Sequence, residues 1–431
     1  MTNVDNKNQT MKQSGPGVDV AIIGLGYIGL PTAAIVASAG LRVVGVDIRK
    51  SVVETVNSGG VHIEEPDLDT LVKKVVAEGR LSASIDIPSA DVFIIAVPTP
   101  CDDEHRPDVG SVLAASRALA PALRPGNLII LESTSPVGTT EQVCAAIAEA
   151  RPDLRVPAVG GGEADIHLAY CPERVLPGHI LTELVQNDRC VGGITAECGE
   201  AAAGFYRRFV KGECVVMSAR TAEMVKLAEN SFRDVNIAFA NELSLAADAL
   251  GIDVWEVIRI ANRHPRVNIL QPGPGVGGHC IAVDPWFLVH SAPEQTPLIR
   301  TAREVNDGKS DYVVERARAL VASRPGATVA CLGLAFKPDV DDFRESPALK
   351  VAARLASDFG NRMLVVEPHA EKLPPELEAT GARLAPLSDA LTLAEVLILL
   401  VDHRKFLAID KAELAGKAIY DTRGCLSKPA S

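Results

Sequence analysis

VDVAIIGLGYIGLPTAAIVASAGLRVVGVDI, residues Val18 to Ile48, is the stretch that decides the fold. A first apolar run stops at Gly24, an alanine-rich segment leads to Gly40, and a second apolar run stops at Asp47. Runs that are apolar throughout, rather than alternating with polar residues, belong to strands covered on both faces. That means a parallel sheet with helices above and below it. DVFIIAVPTP (Asp91–Pro100) and NLIILESTSPVG (Asn127–Gly138) read as later strands of the same sheet. Further on the order is replayed. TVACLGLAFKP (Thr328–Pro338) parallels the first strand and turn, and RMLVVEPH (Arg362–His369), EVLILLVDH (Glu395–His403) and AIYDTRG (Ala418–Gly424) parallel later ones.

Between these halves, Thr221–Leu250 contains neither Gly nor Pro, and Gly251 follows as a C-cap. A helix of that length reaches roughly 45 Å. Leu227, Ile237 and Phe239 mark it as largely covered. The fold class expected is α/β, with two Rossmann-like, doubly wound domains joined by a long central helix. The boundaries expected are a disordered tail over 1–17, a nucleotide-binding domain over 18–213, a central helical dimerisation region over 214–310 and a second Rossmann-like domain over 311–431.

Of the 431 residues 47% are hydrophobic and only 4% aromatic, so the cores are aliphatic and large enough for more than one domain. The formal net charge of -12 argues against a nucleic-acid partner, since nothing neutralises a phosphate backbone non-specifically. No apolar run approaches the ~18 residues of a membrane helix, and the polar start is not a signal peptide. The nine cysteines are scattered without a CxxC pair, which suits a reducing cytoplasm and predicts no metal site.

Gly24, Gly26 and Gly29 form GxGxxG between a strand and a helix, and Asp47 ends the next strand near the ~20-residue spacing of a dinucleotide site. Gly24 allows the turn, Gly26 lets backbone approach a pyrophosphate, and Gly29 lets helix and strand pack. The helix N-terminus favours the phosphates. Asp47 accepts from ribose hydroxyls and repels a 2′-phosphate, so the cofactor expected is NAD rather than NADP. A tight glycine turn in an ordinary domain is the bland alternative. Thr99, in the rigid AVPTP turn (Ala96–Pro100), is a polar residue for the nicotinamide side.

GPGVGGHCIAVDP (Gly273–Pro285) places four glycines in six positions just before Cys280, with Asp284 four residues later. Glycines at that density leave backbone amides open to a ligand. A free cysteine is more often an inert buried one, and the other eight are read that way. Lys226 and Asn230, at i and i+4, share a helix face, with Arg233 within reach. An ammonium there favours a thiolate and an oxyanion; a solvated polar stripe is the bland alternative.

The motifs GLGYIGLP, VPTP, STSPVG, YCPERVLPG, the Lys226/Asn230 helix, GPGVGGHCIAVDP and FKPDVDDFRESP together resemble the UDP-glucose/GDP-mannose dehydrogenase family, from about Val18 to Leu426. Within it, YCPERVLPG, Asn262–Phe287 and LIRTAREVND are similar to members acting on UDP-N-acetyl-D-mannosamine. The resemblance implies oxidation of that sugar at C6 to the uronate, with four electrons passing to NAD. It implies Cys280 as nucleophile through a thiohemiacetal and a thioester, assisted by Lys226, Asn230, Asp284, Glu173 and Thr134. It implies cofactor contacts at Tyr27, Ile28, Asp47, Thr99, Thr140 and Arg344. Substrate contacts carried over are Arg174, Val175, Lys226, Asn230, Arg233, His264, Arg266, Gly277, Phe336, Lys337 and Arg423. A homodimer and a UDP-binding C-terminal domain are also implied. Pro177 departs from the pattern: UDP-glucose members carry a second glutamate there. The alternatives are a UDP-N-acetylglucosamine or UDP-glucose 6-dehydrogenase, a decarboxylating hydroxyacid dehydrogenase, and, in another class, a non-catalytic NAD-binding regulatory module.

Overall fold

The computed structural model describes residues 17–102, 104–278 and 280–426. The stretch read as a disordered tail lies outside the described residues, except for Gly17. The chain divides into two compact units between Lys226 and Leu227.

The first unit holds an eight-stranded sheet of β1 (Val18–Ile23), β2 (Val43–Val46), β3 (Leu81–Ser84), β4 (Ala90–Ile95), β5 (Leu128–Leu131), β6 (His167–Tyr170), β7 (Arg189–Gly193) and β8 (Cys214–Ser218). The strand order is β3-β2-β1-β4-β5-β6-β7-β8. Its helices are α1 (Gly29–Ser38), α2 (Lys50–Asn57), α3 (Leu68–Ala77), α4 (Gly110–Leu119), α5 (Thr139–Ala150), α6 (Ile180–Gln186) and α7 (Ala196–Tyr206). In β1, Val20 and Ile22 point into one buried cluster with Leu30, Ala33, Ala34 and Ala37 of α1, while Ala21 and Ile23 point into another. Burial on both faces is what the unbroken apolar run required. The alanines let α1 lie close to the sheet. All pairings through β6 are parallel, but β7 runs antiparallel to β6 and carries β8 parallel to itself. An apolar run reads the same in either direction, so the sequence held no sign of that reversal.

The helix α8 (Ala219–Ala249) contains the division between the units. After it come α9 (Val254–Ala261), α10 (Asp284–Ser291) and α11 (Pro297–Ala322). Asp234 and Asn241 of α8 face α11, where Arg303 donates to Asp234 at 2.7 Å and Asn241 donates to Asn306 at 2.8 Å. Leu227 is buried, but Phe239, expected to be covered, is 56% exposed, and Phe232 is 72% exposed. At 100° per residue both lie roughly opposite the Asp234–Asn241 face, so α11 does not reach them.

The second unit carries β9 (Val329–Leu332), α12 (Pro347–Phe359), β10 (Met363–Val366), β11 (Arg383–Leu384), β12 (Val396–Leu399) and β13 (Ala418–Asp421). They form an all-parallel sheet in the order β11-β10-β9-β12-β13. This repeats the order of the first five strands of the larger sheet. The repeat extends to single hydrogen bonds. The Gly24 amide donates to the Val46 carbonyl at 2.8 Å, and the Gly333 amide to the Val366 carbonyl at 2.8 Å.

Candidate active site

The cradle at the start of α1 is built from three glycines with different duties. Gly24 sits at φ +95°, a conformation that a residue without Cβ adopts freely. A Cβ on Gly29 would lie 1.8 Å from the Gly24 carbonyl oxygen, so α1 begins this close to the turn only because that atom is missing. A Cβ on Gly26 would meet nothing within 4 Å. No protein atom demands glycine there. The bare backbone stands at a helix N-terminus, where open amides favour an anion.

Asp47 follows β2. Its Oδ2 accepts from the Leu25 amide at 3.2 Å and its Oδ1 from the Arg49 amide at 2.9 Å, with the Arg49 guanidinium at 3.3 Å. Burial raises this carboxyl, but the bonds from Arg49 and Leu25 outweigh it and hold it below its ordinary range. An ionised acid beside a side-chain-free phosphate turn fits the adenosine ribose and pyrophosphate of NAD. Tyr27 and Ile28 complete the turn, the Tyr27 hydroxyl donating to the Glu64 carbonyl at 3.3 Å.

The loops after β4 and β5 are tied together. Thr99 Oγ1 donates to the Thr134 carbonyl at 2.5 Å, and Ser133 Oγ to the Val97 carbonyl at 2.7 Å. Thr140 donates its amide at 2.8 Å and its hydroxyl at 2.6 Å to the buried Glu223, which also takes the Gly138 amide at 2.6 Å. That carboxylate satisfies the first amides of α5, an arrangement the sequence reading missed.

Glu173 is buried in an ion pair with Arg189. Arg189 also lies 3.9 Å from Glu132 and stacks 4.6 Å over the Tyr206 ring, while Tyr206 donates to Glu132 at 2.7 Å. Burial and the nearby charge of Glu173 push the Glu132 carboxyl up to about 7, against Arg189, Tyr206 and Thr32. Two acids sharing one arginine cannot both ionise cheaply. Glu132 and Arg189 escaped notice in the sequence; the one available sign was an acid closing the apolar run NLIILE. Arg174, next along, donates to the Asp188 carbonyl at 3.2 Å, and Val175 packs against the cluster of Ile35, Ile180 and Leu184.

In the second unit, Cys280 is an exposed thiol at the head of a turn. Its carbonyl accepts from the Val283 amide at 3.0 Å and the Asp284 amide at 2.8 Å. Asp284 is buried in the first turn of α10 and accepts from Asn230 Nδ2 at 2.5 Å. Three residues picked from the sequence are thus linked, Cys280 to Asp284 through the backbone and Asp284 to Asn230 through the side chains. Lys226 is half-buried on α8, one turn ahead of Asn230, and Arg233 is exposed. His264 and Arg266 are exposed in one turn, the Arg266 amide donating to His264 Nδ1 at 3.3 Å.

The glycines before Cys280 do something the sequence reading did not foresee. They were expected to bare amides for a ligand. Their missing side chains also let the loop pack: a Cβ on Gly277 would lie 2.6 Å from the Glu345 carbonyl oxygen and 2.6 Å from Pro347, and one on Gly278 would lie 3.0 Å from the Phe336 ring. The glycine loop is seated directly on the Phe336–Pro347 segment. Arg423 fastens the other end, donating to the Pro272 carbonyl at 3.2 Å and to Asp402 at 2.9 Å. The Lys337 ammonium lies 5.8 Å over the Phe336 ring, and Arg344 pairs with Asp342 at 2.6 Å.

Comparison with known proteins matches three consecutive segments to the UDP-glucose/GDP-mannose dehydrogenase family. They are the NAD binding domain over residues 18–210, the central domain over 220–308 and the UDP binding domain over 330–428. The chain is 56% identical over 413 residues to a UDP-N-acetyl-D-mannosamine dehydrogenase of Yersinia pestis, covering 94% of this chain and 98% of that one. It is 54% identical over 408 residues to an NDP-N-acetyl-D-galactosaminuronic acid dehydrogenase of Ralstonia nicotianae, covering 95% and 96%. Among solved structures, a UDP-D-ManNAc dehydrogenase of Pyrococcus horikoshii shares 37% identity at a TM-score of 0.84, covering 96% of this chain and 97% of that one.

Proposed function

The chain belongs to the UDP-glucose/GDP-mannose dehydrogenase family, and from that premise we propose that it oxidises UDP-N-acetyl-D-mannosamine at C6 to UDP-N-acetyl-D-mannosaminuronate, with Cys280 as the nucleophile. It is an NAD-dependent oxidoreductase. The observation that supports the proposed chemistry is the turn that carries the exposed Cys280 thiol and links its backbone carbonyl to the amide of buried Asp284, whose carboxylate is held by Asn230.

NAD, when bound, supplies the acceptor for both hydrides, held by Gly24 to Gly29, Asp47, Thr99, Thr140 and Arg344. Water ordered by Lys226 and Asp284 takes the C6 hydroxyl proton as the alcohol becomes an aldehyde. Cys280 Sγ then bonds to the aldehyde carbon, giving a thiohemiacetal that keeps a reactive intermediate in place. The second oxidation leaves a thioester. Water adds to it, Glu173 takes the proton, and the C–S bond breaks to release carboxylate and thiol. Lys226 and Asn230 hold the oxyanion at both tetrahedral stages. Thr134 lines the same chemistry. Arg174, Val175, Arg233, Gly277, Phe336, Lys337 and Arg423 take the nucleotide sugar.

We further propose a cytoplasmic homodimer. The exposed Phe232 and Phe239 on α8 support a self-association face, across which His264 and Arg266 reach the neighbouring site. No helix among the described residues is long and apolar enough to cross a membrane.

A second sugar has an observation in its favour: the Ralstonia relative is named for an N-acetyl-D-galactosaminuronic acid. Measuring NADH formation with UDP-N-acetylmannosamine, UDP-N-acetylgalactosamine, UDP-N-acetylglucosamine and UDP-glucose decides between them. The proposal expects the first to give the highest kcat/KM. A higher value for any other sugar overturns it.

A further inference from the structure

The second Rossmann-like sheet keeps the acid that follows the second strand but turns it inward. In the first unit, Asp47 accepts one amide of the glycine turn, and its other partners are the amide and the exposed guanidinium of Arg49. In the second, Glu367 stands in the same place after β10. Its Oε2 accepts from the Leu334 amide at 2.7 Å and the Ala335 amide at 3.2 Å, and its Oε1 from the His369 amide at 3.0 Å. The same Oε2 lies 3.2 Å from Nε2 of His403, a fully buried side chain. This acid is spent inside the protein.

His403 passes the constraint on. Its Nδ1 accepts the Asp339 amide at 2.9 Å. An amide can only donate, so Nδ1 carries no proton, and the ring is the neutral tautomer with its proton on Nε2, directed at Glu367. Asp339 itself sits at φ +57°, left-handed for a residue with a Cβ, a conformation that persists only where its surroundings enforce it. Two fasteners do so. One is the His403 ring on its amide. The other is Arg404 on its carboxylate, through the Arg404 amide at 3.1 Å and Nε at 2.8 Å. Phe336, Lys337 and Pro338 are thus strung between Ala335, pinned by Glu367, and Asp339, pinned by His403 and Arg404.

We propose that His403 is a positioning residue for nucleotide binding: with Arg404 it clamps Asp339 and so fixes the turn that presents Phe336 and Lys337 to the uridine diphosphate. The inference rests on the proposed role of Phe336 and Lys337 in holding that nucleotide. His369 is the other titratable group near the ring, 5.2 Å away between centroids. Asp339, His369 and His403 do bring possible ligand atoms within 4.8 Å of one another. Both nitrogens of His403 are committed to hydrogen bonds, however, which leaves none for an ion.

The test uses the full chain, with UDP and NAD binding measured separately by calorimetry. Wild type must bind UDP; if it does not, the reading of the C-terminal unit fails, whatever His403 does. His403→Leu removes both ring bonds and is expected to weaken UDP tenfold or more while NAD affinity stays within twofold. His403→Gln offers an acceptor and a donor in place of the ring and should recover to within about threefold of wild type. A merely structural histidine would lower thermal stability in both variants without separating UDP from NAD. Arg404 is 88% exposed, so Arg404→Ala is expected to fold, and it should weaken UDP twofold to fivefold. It decides the matter if His403→Leu does not fold. Unchanged UDP affinity in Arg404→Ala, equal loss of UDP and NAD, or UDP binding that a chelator abolishes in wild type overturns the proposal.

Discussion

Gly26→Ala separates a glycine kept for the ligand from glycines kept for the fold. The added methyl meets no protein atom within 4 Å, and Gly26 is not among the residues at positive φ. The apo protein should therefore lose no stability, and a gain of about 0.4–1 kcal/mol is expected from a less flexible unfolded chain. With NAD the same methyl competes for space with the pyrophosphate. Overpacking of that kind costs about 1–3 kcal/mol, which at 1.4 kcal/mol per decade is roughly 5- to 140-fold in Kd. The assay is a thermal melt without ligand, followed by calorimetric titration with NAD and, as a control, UDP. Gly29→Ala is the contrast: its methyl would lie 1.8 Å from the Gly24 carbonyl oxygen, so it should melt well below wild type. If Gly26→Ala binds NAD within twofold of wild type, or melts as Gly29→Ala does, the assignment of the cradle is refuted.

Three further outcomes are expected. Cys280→Ser should stall after the second oxidation, because an ester hydrolyses less readily than a thioester; intact-mass spectrometry should then find the sugar adduct, and turnover at the wild-type rate contradicts the covalent scheme. Asp47→Ala should weaken NAD and raise activity with NADP, since it leaves the Arg49 guanidinium, now 3.3 Å from the carboxylate, beside the 2′ position; an unchanged NAD/NADP ratio of kcat/KM removes Asp47 from that role. Glu132, pushed up to about 7 from an ordinary 4.5, favours the fold fully below 4.5 and loses that contribution as pH rises through about 7. Glu132→Gln, neutral throughout, should thus gain in Tm relative to wild type between pH 5 and pH 8, and a pH-independent difference in Tm counts against the buried acid pair.

Local chemistry was legible in the sequence because its parts are neighbours along the chain. The glycines and Asp47 lie in one βαβ stretch, and Cys280 and Asp284 share one turn of backbone. The repeated strand order was visible too, since each strand is an unbroken apolar run. What stayed hidden depends on partners far apart. Asn230 meets Asp284 across 54 positions and Glu223 meets Thr140 across 83, and neither pairing leaves a period to read. The seat of the glycine loop stayed hidden for the same reason: the atoms that exclude a Cβ at Gly277 belong to Glu345 and Pro347. Phe239 fitted an apolar pattern but lies opposite the face of α8 that α11 covers, so the pattern alone overstated its burial.

The central claim is that one thiol carries a single carbon through both oxidations. It is tested most directly by the ratio of NADH formed to uronate released when UDP-N-acetylmannosamine is turned over to completion. Two NADH for each uronate and no free aldehyde are expected. One NADH for each product, with aldehyde in solution, would contradict it.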